Sequence, residues 1–303
     1  MSRDARVWLG PDGHPLLAAA IERGGGSLVE PEQANAIVWH GSRPERIREL
    51  VHPGIEWVQL DSAGVDAWLA RGLVDRHRVW TAVHDVFAPD VAEHAVALVL
   101  AASRRLAQAA RRREWAELEG ERLAGRTVGI VGAGAIGRET IARLAPFGVT
   151  ILALTRSGRD VPGADRSVPA AELHALLAES DFVILAAPLT AETRGLVGAR
   201  ELELIGRDGW LVNVARGAIV VTDALVEALE HGRLGGACLD VTDPEPLPPE
   251  HPLWRLDNVL VTPHVANPPG TTYEPLARLV EENVRRFRAG RELRGAVDLD
   301  RGY

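Results

Sequence analysis

The sequence contains no lysine; all 34 of its basic residues are arginine. Without a side-chain amine, the chain cannot form a Schiff base, attach pyridoxal phosphate or build a phosphate-binding loop around a lysine. The single cysteine, Cys238, likewise excludes an internal disulfide and a zinc site made of several thiolates. The 42 acidic residues give a net charge of −8, so we expect no nucleic-acid partner, which would need a net basic face.

Long apolar runs are also missing. No stretch approaches the ~20 apolar residues of a membrane span, and the first residues lack the apolar segment of a signal peptide. We therefore expect a cytoplasmic protein without a membrane partner. The ten histidines show no metal-ligand spacing such as HExxH, so no metal site is expected. With 303 residues, 46% of them hydrophobic, the chain is long enough for one large or two medium globular domains.

The N-terminal part alternates short apolar runs with stretches of helical spacing. Strands are predicted over 6–9, 36–39, 55–60 and 78–80, and helices over 16–23, 44–51 and 65–71. Alternation of strand and helix is typical of a parallel, wound sheet, so this part is predicted to be a small α/β unit.

A long amphipathic pattern follows and predicts one connecting helix that begins at Asp90 and runs past Trp115. Asp90 is placed as its N-cap, with Glu93 as the partner three residues on. The arginines of this helix form a basic cluster that is predicted to face solvent or a second subunit. They are Arg104, Arg105 and Arg111 to Arg113.

The second half of the chain has the stronger strand pattern. Compact apolar runs predict strands over 127–131, 150–154, 182–186, 209–214, 236–239 and 259–262, mostly separated by helical segments. This rhythm is typical of a doubly wound, nucleotide-binding sheet. The tail from Thr271 has helical spacing and no strand, so it is predicted to pack back on the first unit, which makes that unit discontinuous.

A glycine-rich turn follows the first of these strands. Gly132, Gly134 and Gly137 form the GxGxxG pattern at the start of a predicted helix. The three glycines allow a tight turn, a close approach of backbone to pyrophosphate, and close packing of helix on strand. The helix N-terminus, with Ala135 and Ile136, adds backbone amides and a positive dipole end. The turn therefore predicts a dinucleotide site.

The residues that would choose between NAD and NADP lie after the second strand of this unit. An NAD site usually has Asp or Glu there for the ribose 2′-hydroxyl, and this sequence has Arg156 and Ser157. The planar guanidinium suits a 2′-phosphate, which a carboxylate would repel. NADP(H) is therefore favoured; NAD(H) stays possible if Asp160 folds back to the ribose.

Three polar residues with catalytic potential follow strands of the same unit. Arg216, Glu245 and His264 lie in loops after the predicted strands 209–214, 236–239 and 259–262. Ligands of an open α/β sheet bind at the carboxyl ends of the strands, so these side chains are predicted to meet near the nicotinamide.

The sequence resembles the D-isomer-specific 2-hydroxyacid dehydrogenase family over nearly the whole chain. The segments that carry the resemblance are Ser62–Asp66, Val91–His94, the glycine-rich turn, Ala187–Thr190 with Thr193, Val212–Gly217, Leu239–Val241 with Glu245–Pro246, His251–Trp254 and Thr262–His264. The resemblance implies an α/β fold of two domains. A Rossmann-type, doubly wound parallel sheet over 92–267 would bind the dinucleotide, and a smaller, discontinuous flavodoxin-like domain of 1–91 and 268–303 would bind the substrate.

The resemblance also implies a role for each reactive residue. His264 would be the acid and base at the C2 oxygen of the substrate, and Glu245 its hydrogen-bonding partner. Arg216 would clamp the substrate's carboxylate and carbonyl. This division suits the chemistry, because hydride transfer to a carbonyl leaves charge on oxygen that needs a nearby cation and a proton donor.

Further contacts follow from the matching segments. The backbone amides of Ser62, Ala63 and Gly64 would hold the substrate carboxylate. Asp240 would orient the nicotinamide carboxamide, unless it is a capping aspartate at a strand end. The remaining cofactor contacts would be Pro188, Thr193, Val214 and Ala215.

The sequence departs from the family, or stays open, at a few places. Pro268 and Pro269 stand where a small residue and a helix start are expected, which predicts a reshaped rim of the active site. Trp39, His40 and Trp115 either border a substrate pocket or belong to the core or a subunit interface.

We therefore predict an NADP(H)-dependent reductase that converts a small 2-oxo acid, such as glyoxylate or hydroxypyruvate, to the D-2-hydroxy acid. One alternative keeps this chemistry with a bulkier aliphatic or aromatic acid. Another is a catalytically idle dinucleotide sensor, which would not need Arg216, Glu245 and His264 together. A homodimer is expected from the resemblance and from the long connecting helix.

Overall fold

The computed structural model describes residues 3–83, 85–115 and 117–303. Its contacts divide the chain into two compact units: unit 1 runs up to Phe87 and includes Pro268–Tyr303, and unit 2 is Ala88–Asn267. The first division falls at Ala88, where a helix of unit 2 begins, instead of after residue 91.

Strands and helices alternate through most of the chain. The strands are β1 Arg6–Pro11, β2 Ser27–Leu28, β3 Ala36–His40, β4 Trp57–Gln59, β5 Val79–Thr81, β6 Thr127–Val131, β7 Thr150–Thr155, β8 Arg166–Pro169, β9 Phe182–Leu185, β10 Trp210–Asn213, β11 Gly236–Leu239 and β12 Val259–Val261. The α-helices are α1 Pro15–Arg23, α2 Ile47–Leu50, α3 Asp66–Ala70, α4 Ala88–Ser103, α5 Leu106–Arg111, α6 Ala135–Leu144, α7 Leu173–Glu179, α8 Ala199–Ile205, α9 Thr222–Glu230 and α10 Pro269–Arg288.

Unit 1 is built on a parallel sheet of five strands in the order β2-β1-β3-β4-β5. This is the flavodoxin-like strand order that the family resemblance implies. The C-terminal segment belongs to this unit through a buried polar link, because Asn283 of α10 donates its amide to Gln59 of β4 at 2.9 Å. Both side chains are fully buried, where polar groups need hydrogen-bond partners within the protein.

Unit 2 is built on a parallel sheet of seven strands in the order β12-β11-β10-β9-β6-β7-β8. Counted from β6, this is the doubly wound order 3-2-1-4-5-6 with one further strand, so the predicted fold class is confirmed. Two hydrophobic clusters cover its two faces. Strands buried on both faces are apolar throughout, which is why β9, all of it buried, reads as a continuous apolar run.

The predicted connecting helix is wrong in length and at its start. Helix α4 begins at Ala88, so Asp90 lies inside its first turn and is not its N-cap. The helix ends at Ser103, and a new helix starts after Arg105, which has a left-handed backbone with φ +53°. The guanidinium of Arg105 lies 4.8 Å from the ring centre of Trp210, a cation–π contact that accompanies the break.

The basic cluster on this segment is only partly a solvent face. Arg111 donates to the carbonyl oxygens of Leu256 at 2.6 Å and Val259 at 3.0 Å, so it fastens α5 to the loop before β12. Arg105 is half-buried and contacts Trp210. The other arginines, Arg104, Arg112 and Arg113, are exposed.

Two strands are missing from the prediction. β2 has two residues and both are exposed, and β8 has a single buried residue, Val168, so neither shows an apolar run. The one cysteine, Cys238, lies in β11 and is 1% exposed. Across the described ranges, the structure has no helix with the length and apolar character needed to cross a membrane.

Candidate active site

All predicted site residues of unit 2 follow one row of aligned strand residues. From one sheet edge to the other, the row is Leu154, Val131, Leu185, Asn213, Leu239 and Val261. Because the strands are parallel, every loop after this row leaves the same edge of the sheet. The order reverses between β6 and β9, where doubly wound sheets bind ligands.

The glycine-rich turn leaves this edge after β6. Gly132 has φ +100°, and a Cβ there would lie 2.5 Å from the backbone nitrogen of Ala187. A Cβ on Gly137 would lie 2.5 Å from the carbonyl oxygen of Gly132. These two glycines are therefore required by the protein's own backbone, one for the turn and one for the packing of α6.

Gly134 is different, because a Cβ there would meet no atom within 4 Å. Nothing in the protein itself demands glycine at this position. It caps the N-terminus of α6, where the backbone amides of Ala135 and Ile136 donate to no residue in the described ranges. The open space beside unpaired amides fits a pyrophosphate group, which the glycine lets approach closely.

The residues after β7 present a cation to the same edge. Arg156 is exposed, and its guanidinium lies 3.4 Å from the carboxylate of Glu192, which is also exposed. An exposed ion pair of this kind is weak, so Arg156 is free to turn to a stronger anion. Ser157 and Asp160 are exposed beside it, separated by Gly158 in a left-handed turn.

Two more loops of the predicted cofactor site leave the same edge, after β9 and β10. The Thr193 hydroxyl donates to the carbonyl oxygen of Pro188 at 2.6 Å and accepts from the backbone nitrogen of Thr190 at 2.8 Å, which closes the loop after β9. After β10, Val214 and Ala215 are 6% and 7% exposed. They offer backbone more than side chain to a ligand.

His264 and Glu245 form a hydrogen-bonded pair. The distance from His264 Nδ1 to Glu245 Oε1 is 2.7 Å, and both side chains are partly exposed. His264 has a left-handed backbone with φ +53°, and its backbone nitrogen donates to the carbonyl oxygen of Asp240 at 2.8 Å. A non-glycine residue held in this region is uncommon and is typical of functional sites.

Arg216 lies on the neighbouring loop, after β10. The side chain of Asn213 shapes this loop, because it donates to the Arg216 carbonyl oxygen at 2.9 Å and accepts from the Ala215 nitrogen at 3.0 Å. A Cβ on Gly217 would lie 2.0 Å from the carbonyl of Thr242, so only glycine fits there. That contact holds the Arg216 loop against the backbone that leads to Glu245.

Asp240 is the centre of a buried network beneath His264. Its Oδ1 accepts from the Thr262 hydroxyl at 2.6 Å and the Val265 nitrogen at 3.0 Å, and its Oδ2 accepts from the Ala266 nitrogen at 3.1 Å. His94 of α4 completes it, with Nε2 3.3 Å from Asp240 Oδ1 and 3.0 Å from the Thr262 hydroxyl.

These donors decide the charge of Asp240. Burial, the largest single influence, raises its pKa, but the hydrogen bonds from His94, Thr262 and the backbone of Val265 and Ala266 outweigh it and bring the pKa to about 2. The carboxylate therefore stays ionised, and its hydrogen bonds hold Thr262 and Val265, on both sides of His264. Oδ2 keeps room for one more donor, so the contact with a nicotinamide carboxamide stays a prediction.

Sequence reasoning did not assign functions to His94 and Thr262. Both lie in segments that carried the family resemblance, which was the one available signal. Their pairing could not be read from the sequence, because one is on α4 and the other follows β12, 168 residues later.

The predicted carboxylate-binding loop lies in unit 1, between β4 and α3. The Ser62 hydroxyl donates to the Gly64 carbonyl oxygen at 3.1 Å, and Val83 donates its backbone nitrogen to the Ser62 carbonyl at 3.0 Å. The backbone amides of Ser62, Ala63 and Gly64 donate to none of the residues that the structure describes. Consecutive unpaired amides suit an anion such as a carboxylate.

The aromatic residues whose roles the sequence does not decide lie in different environments. Trp39 is 1% exposed and packs in the core of unit 1. Trp115 is fully exposed. His40 lies at the end of β3, half-buried, with Nδ1 3.2 Å from Asp61 Oδ2.

The two prolines after the candidate acid lie at the start of α10. Pro268 is the N-cap and Pro269 is in the first turn, where proline is favoured.

Comparison with known proteins identifies the family. Residues 96–266 match the profile described as D-isomer specific 2-hydroxyacid dehydrogenase, NAD binding domain. An uncharacterised protein of Corynebacterium melassecola is 39% identical, over 94% of this chain and 95% of its own length. A glyoxylate reductase of Thermofilum pendens is 40% identical, over 64% of this chain and 60% of that enzyme, so this match covers less than two-thirds of the relative.

Solved structures agree over the full length. A D-isomer specific 2-hydroxyacid dehydrogenase from Xanthobacter autotrophicus, in complex with NADPH and MES, is 29% identical with a TM-score of 0.88, covering 99% of this chain and 100% of that one. An NADPH-dependent glyoxylate/hydroxypyruvate reductase from Sinorhizobium meliloti, in complex with NADP and sulfate, is 30% identical with a TM-score of 0.84 and the same coverage. The prediction of an NAD(P)-dependent 2-hydroxyacid dehydrogenase is thereby confirmed, and the chain belongs to the D-isomer specific 2-hydroxyacid dehydrogenase family.

Proposed function

We propose that this enzyme uses NADPH to reduce a small 2-oxo acid, such as glyoxylate or hydroxypyruvate, to the D-2-hydroxy acid. The observation that carries the proposal is the pair of His264 and Glu245, 2.7 Å apart, on a left-handed loop at the cofactor edge of the sheet. The names of the relatives support it, since they are described as glyoxylate or glyoxylate/hydroxypyruvate reductases.

The roles of the residues follow from their contacts. Bound reduced nicotinamide supplies the hydride. With Nδ1 committed to Glu245, His264 has Nε2 left to give a proton to the C2 oxygen of the substrate. The contact with Glu245 holds the ring so that this nitrogen keeps its direction. The Arg216 guanidinium stabilises the negative charge that develops on the same oxygen.

Substrate and cofactor would be held by backbone as much as by side chains. The unpaired amides of Ser62, Ala63 and Gly64 would bind the substrate carboxylate. The open face of Gly134, with the amides of Ala135 and Ile136, would bind the pyrophosphate. Loop residues after β9 and β10 would line the nicotinamide. They are Pro188, Thr193, Val214 and Ala215. Asp240, Gly132 and Gly137 would shape the site.

Selection of NADPH would depend on Arg156 and Ser157. Their exposed side chains stand where an NAD site has a carboxylate, and the weak pair with Glu192 costs little to break. The two structural relatives bound to NADPH or NADP support the same choice. Use of NADH through Asp160 is the alternative.

The test is consumption of NADPH, and separately of NADH, with a panel of 2-oxo acids from glyoxylate to phenylpyruvate. We expect turnover of the small acids with NADPH, at a kcat/KM at least about tenfold above that with NADH, since a lost charge-assisted contact costs that much. Preferred turnover of phenylpyruvate would favour the bulkier-acid alternative. Binding of cofactor without turnover of any acid would favour the sensor alternative and contradict the proposal.

We further propose that unit 2 is the dinucleotide-binding domain, that unit 1 is the substrate-binding domain, and that the enzyme is a cytoplasmic homodimer. The support for the dimer is the family and the side chain of Trp115, which is large, apolar and fully exposed. Light scattering during size-exclusion chromatography tests it: the expected mass is twice the 32.7 kDa of the chain, and a mass of one chain contradicts it.

A further inference from the structure

A group of three rings and one carboxylate lies at the carboxyl edge of the sheet in unit 1. We call it the ring cluster; its members are His14, His40, Asp61 and Tyr273. His14 follows β1, His40 ends β3, Asp61 follows β4, and Tyr273 lies in the first turns of α10. None of the roles proposed above uses them.

The cluster occupies the position where a sheet of this order binds ligands. In the order β2-β1-β3-β4-β5, the winding direction reverses between β1 and β3. Ligands of flavodoxin-like sheets bind outside the carboxyl ends of the strands at such a reversal. His14 follows β1, and His40 is the last residue of β3.

His40 is held in one orientation by Asp61. Its Nδ1 lies 3.2 Å from Asp61 Oδ2, which also accepts from the Gly41 nitrogen at 3.3 Å. Burial raises the pKa of Asp61, and the hydrogen bonds from His40 and Gly41 offset only part of that rise. The contact with Asp61 therefore holds the His40 ring by its Nδ1.

The other two rings support His40 from the side. Tyr273 stacks on His14 with ring centres 3.7 Å apart, and it meets the edge of His40 at 5.5 Å with the planes nearly perpendicular. His14 also lies edge-on to His40, at 6.0 Å. Such contacts restrict the rotation of the His40 ring.

The outer nitrogen of His40 is left available. Among the residues that the structure describes, none forms a hydrogen bond with His40 Nε2. The ring is thus oriented on one side and open on the other, which is the arrangement of a binding residue whose supporting shell is already in place.

The pair of His40 and Asp61 adjoins the proposed carboxylate-binding loop. Asp61 directly precedes Ser62, so His40 is hydrogen-bonded to the residue next to the segment whose amides are unpaired. An acid bound by these amides would therefore have His40 as a neighbouring polar group.

We propose that His40, oriented by Asp61, forms a hydrogen bond with an oxygen on C3 of the substrate. The preferred substrates are therefore 2-oxo acids that carry a hydroxyl or another oxygen at C3, such as hydroxypyruvate. Pyruvate has a methyl group there, and glyoxylate has no C3. This inference rests on the proposed function, because it concerns the acid that the same enzyme reduces.

The test compares kcat/KM for hydroxypyruvate, pyruvate and glyoxylate in the wild type and in His40 variants. His40→Asn keeps an amide at the position of Nδ1, for Asp61, and removes Nε2. We expect it to lower the value for hydroxypyruvate by about tenfold and that for glyoxylate by less than about threefold, as for one lost hydrogen bond. His40→Gln, whose amide reaches the position of Nε2, is expected to recover part of the loss.

Two further variants separate orientation from general damage. Asp61→Asn weakens the hold on the ring and is expected to lower the hydroxypyruvate to glyoxylate ratio by about threefold. His52→Asn is the matched control, since His52 is another half-buried histidine of unit 1, bonded to Pro31 and Gly54. It should leave the ratio unchanged.

The outcomes are distinct. A ratio within about twofold of the wild type in both His40→Asn and Asp61→Asn, or an equal loss on both acids, overturns the role of His40. If His40→Asn fails to fold, as judged by its thermal unfolding, His40→Gln and Asp61→Asn decide. A wild-type enzyme that reduces no acid at all would instead overturn the proposed function.

Discussion

At the scale of single residues, the backbone of His264 is unusual. A left-handed conformation at a non-glycine residue costs on the order of 1–3 kcal/mol, so the surroundings must impose it. Here the backbone nitrogen of His264 is bonded to the carbonyl oxygens of Asp240 and Thr262, at 2.8 and 3.0 Å. The conformation aims the ring at Glu245 and fixes which of its nitrogens faces the ligand side.

Glu245→Gln should lower kcat for reduction by about tenfold, because the residue that holds the proton donor is weakened. The amide can still bond Nδ1 of His264, but as a poorer acceptor than Oε1 of Glu245 at 2.7 Å it orients the ring less firmly. Glu250→Gln, an exposed acid on the same loop, is the control and should leave kcat unchanged. An unchanged kcat in Glu245→Gln would remove Glu245 from the mechanism.

Arg216→Ala should abolish most turnover and leave cofactor binding intact. Loss of a cation at a developing oxyanion costs on the order of 10³-fold in kcat/KM. Arg216→Lys keeps the charge without the planar fork and should recover only a part. The measurement is kcat/KM beside the Kd for NADPH, followed by nicotinamide fluorescence. Equal losses in affinity and turnover would contradict a role at the substrate.

At the scale of elements, the loop after β12 depends on a hydroxyl. Thr262→Val removes the 2.6 Å donor to Asp240 and the partner of His94, while keeping the side chain's size. We expect kcat to fall by about tenfold or more, because the acid on this loop loses its position. Thr262→Ser should restore most of it.

The same variants separate two roles of Asp240. If its carboxylate mainly shapes the loop, Thr262→Val leaves the Kd for NADPH within about twofold of the wild type and changes kcat alone. If it mainly holds the nicotinamide, the Kd rises with the loss of kcat. Comparison of Thr262→Val with Thr262→Ser in both measurements decides between them.

The elements also mark where sequence reasoning succeeds. The buried strands of unit 2, such as β6 and β9, were predicted at or close to their bounds, because a strand covered on both faces is an uninterrupted apolar run. The edge strands β2 and β8 were missed, since an edge strand is defined by its neighbour's hydrogen bonds and needs few apolar residues.

The break between α4 and α5 could not be predicted for a related reason. No glycine or proline marks it, and the helical spacing continues through Leu106, which is 52% exposed. What ends the helix is the left-handed Arg105, held over Trp210, a residue far away in the sequence. Prediction of the candidate site is limited in the same way. Sequence motifs predicted Arg216, Glu245 and His264, but the contact between His94 and Asp240 is visible only in the folded structure.

At the scale of the whole molecule, a preference for NADPH over NADH should appear as a difference in thermal stability. A ligand at about 100 times its Kd stabilises the folded state by about 2.7 kcal/mol, which for a protein of this size raises the thermal midpoint by roughly 5 °C. We expect a larger shift from NADPH than from NADH at equal concentration. Arg156→Ala should reduce the NADPH shift and spare the NADH shift. Equal shifts in the wild type would contradict selection by Arg156.

Because Cys238 is buried in β11, the rate at which a reagent labels its thiol can report how often this part of unit 2 opens. The residue lies on the middle of three neighbouring strands, aligned with Val212 and Leu260, and burial raises the pKa of its thiol to about 12. A thiol reagent can therefore react only when the hydrophobic packing around Cys238 opens. Because the chain has no other thiol, the labelling rate of the unmodified protein measures that opening directly. Above the Kd for NADPH, the labelling rate should fall in proportion to the NADPH concentration. A labelling rate equal to that of a free thiol would show instead that the strand is open to solvent.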